Sequence, residues 1–229
     1  MNPLSLLLLP CALWAGYTAG AHLQAFRSIT RGPRTARRLA LTFDDGPDPV
    51  NTPKVLDVLG GAGVRGTFFV VGARAARAPE LVREMVAAGH EVENHTWSHS
   101  NLWFCGPRRT AREISRAQEV VAKLSGRQPR FFRPPWGMVN LAVCPTLGRL
   151  GMRCVLWSIQ PEGLRPVAPG EMASRVIRGA SPGAIVDLHD AEGLRGAPGR
   201  LLEALPRMLE GLDAVGYRCV SLAELLSGT

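Results

Sequence analysis

A chain of 229 residues, 46% hydrophobic and 20% charged, is neither disordered nor fibrous. At about 150 residues per domain it has room for one α/β domain and a short extra segment. Lys and Arg total 27 against 19 Asp and Glu, a net charge of +8; an anionic surface suits such a chain, but no stacking platform or recognition motif for nucleic acid accompanies it.

Residues 2–26 carry no formal charge, and Leu4 to Leu9 is a leucine-rich run. The stretch is borderline for a membrane span, which needs about 20 apolar residues. It lacks the leading Lys or Arg of a signal peptide, although Ala19-Gly20-Ala21 resembles a cleavage site. Anchor, cleaved signal and soluble helix all stay open, and a membrane anchor is the reading taken for 1–26. Arg27, Arg31, Arg34, Arg37 and Arg38 follow the apolar run, so 27–37 reads as a basic juxtamembrane linker. By the positive-inside rule that flank belongs in the cytoplasm.

From residue 38 onward short apolar runs alternate with amphipathic stretches. Residues 39–43 form a strand broken at once by Asp44-Asp45-Gly46-Pro47. Thr52-Pro53 opens a helix that Gly60-Gly61 closes. Strands are predicted over 66–71, 90–94, 130–133, 154–158, 184–189 and 217–220. Helices are predicted over 79–88, near 140–150, over 170–179 and 198–214, and at 222–226. Thr110 and Glu113 read as a capping box opening a further helix to about Leu124. The five cysteines, Cys11, Cys105, Cys144, Cys154 and Cys219, include no CxxC pair, so buried thiols are the default, with one disulfide possible. About seven βα alternations predict an α/β domain over 38–229 with a parallel sheet. Asp44, Asp45, His95, Arg133 and His189 all fall at strand ends, and in a parallel barrel those ends gather on one face, where active sites sit.

Asp45, His95 and His99 supply one carboxylate and two imidazoles, the latter four residues apart. Such a set suits zinc, or cobalt, nickel or manganese, holding a water in an open position. A metal there lowers the water's pKa toward about 7 and polarises a carbonyl. The alternative is a polar loop with histidines either side of Trp97. Asp44, beside Asp45 at a broken strand end, can act as general base. Its bland reading is a surface Asp-Asp turn. His189 closes the apolar run 184–186 and can give a proton to a leaving amine. It could equally be a core histidine held by a backbone carbonyl.

Residues Leu41-Thr42-Phe43-Asp44-Asp45-Gly46-Pro47 resemble the first motif of the polysaccharide deacetylases, carbohydrate esterase family 4. His95-Thr96-Trp97-Ser98-His99 matches the second motif, Arg133-Pro134-Pro135-Trp136-Gly137 resembles the third, and Leu188-His189-Asp190 sits where the fifth falls. The resemblance implies a distorted (β/α) barrel of about seven parallel strands. It implies Asp45, His95 and His99 as metal ligands, Asp44 as base, His189 as acid, and Arg133 as a groove residue that orients Asp44. Pro135, Trp136, Trp157, Glu162 and Asp187 are the remaining candidates for the substrate groove. The implied reaction is metal-assisted hydrolysis of an N-linked acetyl group on an amino sugar of a polysaccharide, oligosaccharide or lipid-linked glycan. The chain would act as a monomer, associated with the extracytoplasmic face of a membrane. Alternatives are a catalytically silent glycan-binding module and a hydrolase of other amides or O-acetyl esters.

Two departures from the family pattern stand out. Two residues before the fifth-motif histidine the family usually has a leucine lining the slot for the acetyl methyl; here that residue is Asp187. A strand period of two puts Asp187 on the same face as His189. The Asp-Trp pair of the fourth motif is also missing, and Trp157 and Glu162 are the residues nearest to it.

Overall fold

The structure, a computed structural model, describes residues 12–18, 28–163, 165–191 and 193–227. The leucine run at 4–9, the Ala19-Gly20-Ala21 triplet and Cys11 lie outside them. Residues 12–18 form a short helix, α1, whose Tyr17 carbonyl accepts from Leu141 N at 3.3 Å. Among the described residues no helix is long and apolar enough to cross a membrane.

Seven strands follow: β1 Arg38–Asp44, β2 Thr67–Val70, β3 Glu91–Asn94, β4 Phe131–Phe132, β5 Arg153–Cys154, β6 Ile185–His189 and β7 Arg218–Val220. Every pairing is parallel, in the order β5-β4-β3-β2-β1-β6, with β7 on the first three residues of β1. Past β5 the chain returns to the far edge. Ser158 N and Ile159 N donate to Ile185 O, and Asp187 N donates to Ile159 O. The sheet thus curls into a distorted barrel.

The connections are α2 Thr52–Gly61, α3 Gly72–Arg77, α4 Pro79–Ala87, α5 Pro107–Ser125, α6 Val143–Leu150, α7 Pro169–Gly179, α8 Ala197–Ala214 and α9 Leu222–Ser227. Proline opens α2, α4, α5, α7 and α8, where its missing N–H costs nothing and its fixed φ suits the first turn.

Three sequence readings need correction, and one helix goes unread in the sequence. The helix at 110 begins three residues earlier, at Pro107 with Gly106 as cap, so Thr110 and Glu113 form no capping box. Helix α3 was not foreseen, because six residues with no side-chain cap carry little periodic signal. The strand expected over 154–158 ends at Cys154, because the Val155 and Leu156 carbonyls accept from the buried Arg133 side chain instead of a strand. Finally, the described part of 27–37 is no free linker. Ile29 N donates to Cys154 O, Leu156 N donates to Ile29 O, and Gly32 N donates to Gly183 O. A Cβ on Gly183 would lie 2.3 Å from Gly32 O, and its φ of 77° also favours glycine. The four described cysteines are unpaired.

The core is apolar at its centre and charged at one end. Phe43 stacks on Phe68 with centroids 4.8 Å apart, and both are fully buried with Phe69 and Phe132. Burying such a side chain stabilises by roughly 1.5–3 kcal/mol, whereas a buried ion pair about breaks even. Stability therefore comes from the strand interiors, and the ion pairs at the strand ends need another reason to be there.

Candidate active site

Those ion pairs meet in one cleft. β1 ends at Asp44, β3 ends one residue before His95, Arg133 follows β4, and β6 ends at His189. The β1–β6 register pairs Asp44 with His189, so the two face each other across neighbouring strands. The cleft, about 680 Å3, is lined by Asp44, Asp45, His95, His99, Asp187 and His189, with Trp136, Met138, Trp157, Gln160, Glu162 and Leu194 around them.

Asp45, His95 and His99 converge as the sequence predicted. One ligand atom from each lies within 4.8 Å of the others. Asp45 Oδ1 is 2.8 Å from His99 Nε2 and 3.3 Å from His95 Nε2. His95 Nδ1 lies 2.7 Å from the Arg133 carbonyl; donating to it leaves Nε2 to face the site, the tautomer a metal needs. Burial alone would raise the Asp45 carboxyl, but hydrogen bonds to His95 and His99 outweigh it and hold it well below the usual range. Burial lowers His95, and the nearby Asp44 and Asp45 charges reverse that and raise it. Four non-glycine residues here have left-handed backbones: Asp45 (φ 74°), Thr96 (φ 67°), His99 (φ 55°) and Trp136 (φ 55°). For β-branched Thr96 this is a strained conformation, a feature that clusters at functional sites.

The strain is held by neighbours the sequence reading missed. Glu113 of α5 accepts from Ser98 N and Ser98 Oγ, both at 2.8 Å, and so grips the loop between the two histidines. Asn94 accepts from Thr96 N and donates to Ile114 O. Arg74 Nη1 donates to Asp45 O at 2.7 Å. Asp190 accepts from Thr52 Oγ1 and packs on Gly46, where a Cβ would lie 2.5 Å from its carboxylate. A buried carboxylate in an amphipathic helix was the one available signal for Glu113.

Asp44 is buried next to this set. Its Oδ2 is 3.9 Å from His95 Nε2, and its Oδ1 accepts from Arg133 Nη1 at 2.7 Å. Arg133 is fully buried and reaches no solvent; Nη1 also donates to Thr42 Oγ1, and the guanidinium stacks on Phe69 at 4.2 Å. It supports Asp44 from beneath and does not line the cleft.

Opposite, His189 is raised: burial disfavours its charged form, but the Asp187, Asp45 and Asp44 carboxylates prevail. Asp187 is pushed up to about 7 by burial and by Asp44. Asp190 is pushed to a similar value, again by burial first.

The remaining groove candidates divide. Trp136 is 56% exposed and packs on the His99 ring at 4.4 Å, and Trp157 lines the cleft. Pro135 is buried in a turn beneath Trp136 and does not line it. Glu162 lines it, but its Oε1 accepts from Arg200 Nε at 2.6 Å and from Val167 N. That carboxylate ties the loop to α8.

Comparison with known proteins agrees with this geometry. Residues 31–155 match the polysaccharide deacetylase family. The chain is 36% identical over 196 residues to a peptidoglycan-N-acetylglucosamine deacetylase of Bacillus cereus, covering 85% of this chain and 90% of that one. It is 39% identical over 169 residues to a chitooligosaccharide deacetylase of Sinorhizobium fredii, covering 73% and 79%. Its structure superposes on the peptidoglycan deacetylase PdaC from Bacillus subtilis with a TM-score of 0.75 at 31% identity, covering 86% of this chain and 93% of that one. The chain belongs to the polysaccharide deacetylase family, hydrolases of non-peptide carbon–nitrogen bonds.

Proposed function

We propose that this protein removes an N-acyl group from an amino sugar of a cell-wall or chitin-type glycan, using zinc. One observation carries the reading: three metal-ligand side chains, a carboxylate and an imidazole not among them share a single cleft. The donor set fits zinc, since one carboxylate and two imidazoles leave a position open. Bound there, the ion would act as a Lewis acid toward the acyl carbonyl and ease deprotonation of water.

The chain's own groups do the rest. Asp45, His95 and His99 hold the ion. Asp44 takes a proton from the attacking water, and Arg133 fixes the carboxylate that does so. His189, raised by its carboxylate neighbours, gives a proton to the departing nitrogen. Trp136 and Trp157 offer faces on which a sugar ring can pack. A silent glycan-binding module would need neither acid nor base, yet Asp44, Asp45, His95, His99 and His189 are all in place.

The uncharged residues 2–26 support attachment to a membrane; the domain is placed as a monomer on the extracytoplasmic face because cell-wall glycan lies there, and the arginine flank at 27–38 argues for the other side. The test is metal analysis followed by acyl release from a panel of N-acetylated and O-acetylated glycans. Stoichiometric zinc, loss of activity on chelation and release from N-acetyl glycans are expected. Full activity without metal, or release from O-acetyl esters alone, would overturn the reading.

A further inference from the structure

Asp187 and Glu162 are the ionisable groups lining the cleft that the proposed chemistry leaves unused, and Glu162 is already paired with Arg200. Asp187 sits on β6 two residues before His189, lines the cleft with Asp44 and Trp157, and is only 3% exposed. Its Oδ1 has no hydrogen-bond partner. The nearest cation, Arg133 Nη1, is 3.5 Å away and already donates to Asp44 and Thr42 at 2.7 Å. The rest of that guanidinium is spent on the Val155 and Leu156 carbonyls. Asp187 thus receives charge from Arg133 but no hydrogen bond from it. Asp190, the other buried carboxylate of this strand end, also has an Oδ1 without a partner, but its Oδ2 accepts from Thr52 Oγ1 and it does not line the cleft.

A buried acceptor without a donor destabilises the fold unless a ligand supplies one. A methyl group packed against it cannot donate, and it deepens the desolvation. A hydroxyl can donate.

We propose that Asp187 selects the acyl group: the site prefers an acyl with a hydrogen-bond donor on the carbon next to the carbonyl, such as hydroxyacetyl, over plain acetyl. This rests on the deacylase reading above. The reaction balances as any amide hydrolysis does. Water's oxygen bonds to the acyl carbon, the carbon–nitrogen bond breaks, and the nitrogen leaves as an amine with a proton. Hydroxyacetic acid is released in place of acetic acid. A site that provides a partner for a substrate hydroxyl discriminates strongly against the analogue lacking it.

The test uses the full-length, zinc-loaded protein and two chitooligosaccharides that differ only in carrying N-acetyl or N-hydroxyacetyl groups. The hydroxyacetyl substrate should show kcat/KM higher by about tenfold or more. Asp187→Leu should reverse the order, raising turnover of the acetyl substrate and lowering that of the other. A second readout needs no variant: hydroxyacetate should inhibit the wild type about tenfold more tightly than acetate. If wild type turns over the acetyl substrate as well as or better than the hydroxyacetyl one, the assignment to Asp187 falls and the deacylase reading stands. Equal inhibition by the two acids has the same meaning. If neither substrate is hydrolysed, both readings fall.

Discussion

Arg133 Nη1 lies 2.7 Å from Asp44 Oδ1, and both side chains are buried at the ends of β4 and β1, strands that β2 and β3 separate in the sheet. The pair has little value as a stabiliser, because desolvation offsets most of the attraction. Its use is to fix one carboxylate oxygen and leave the other facing the site, 3.9 Å from His95. Arg133→Met strands a buried carboxylate, so unfolding free energy should fall by about 3–5 kcal/mol. A base that is no longer held should cost about 10²-fold in kcat. Arg133→Lys keeps the charge but cannot reach Thr42, Asp44 and both carbonyls together, so it should fall between the two. Urea unfolding and acyl release measure the two effects separately. Wild-type turnover in the Met variant would remove Arg133 from the chemistry.

Asp44 and His95 are close in space, yet their loss should look different. Asp44→Asn keeps shape and leaves the three metal-ligand residues untouched, so metal content should hold while kcat drops about 10³-fold, as for loss of a general base. His95→Ala removes a ligand and should lose bound metal and activity together. Metal analysis beside turnover on an N-acetylated chitooligosaccharide distinguishes the two. An Asp44→Asn protein that loses its metal would mean Asp44 helps hold the ion.

The chemical residues were legible because each sits beside a local signal. A run of apolar residues that stops at Asp44-Asp45 or at His189-Asp190 marks a strand end, and strand ends of a parallel barrel share one face. The supporting residues were not legible, because their partners are distant in sequence. Glu113 looked like half of a capping box with Thr110, a reading that needs only local spacing; in the structure it reaches back 15 residues to Ser98. Glu162 lines the cleft, yet nothing near it in the sequence announces that Arg200, 38 residues later, holds its carboxylate. The truncated fifth strand has the same origin: nothing near residues 155 and 156 announces that Arg133 takes their carbonyls.

Glu113 yields a prediction of its own. It fixes Ser98, and with it the left-handed backbone at Thr96 and His99, without touching the ligand atoms. Groups that orient metal ligands are typically worth 10–100-fold in affinity. Glu113→Ala should therefore weaken metal binding by about 10–100-fold while the protein stays folded, and excess metal should restore most of its activity. Competition with a chelator measures the affinity. An unchanged metal affinity would show that the loop holds its shape without Glu113.

At the other end of β3, His90 gives the fold a pH dependence separate from catalysis. Its Nδ1 accepts from Gly66 N at 3.0 Å, which requires that nitrogen to be unprotonated, and its ring sits edge-on to Phe68 at 5.3 Å. Burial pushes its pKa down to about 4 from 6.5. Between those values the unfolded chain binds the proton and the folded chain does not, so stability rises with pH across that window and is lost as pH falls through it. At about 1.4 kcal/mol per tenfold change in proton affinity, reduced for solvent screening in the pocket that His90 lines, the contribution comes to about 1–2 kcal/mol. His90→Asn keeps an acceptor near Gly66 N and cannot titrate. The loss of unfolding free energy between pH 6.5 and 4 should therefore be about 1–2 kcal/mol smaller in the variant than in the wild type. Urea melts at several pH values measure this. Parallel pH profiles for the two proteins would show that His90 is not the group responsible.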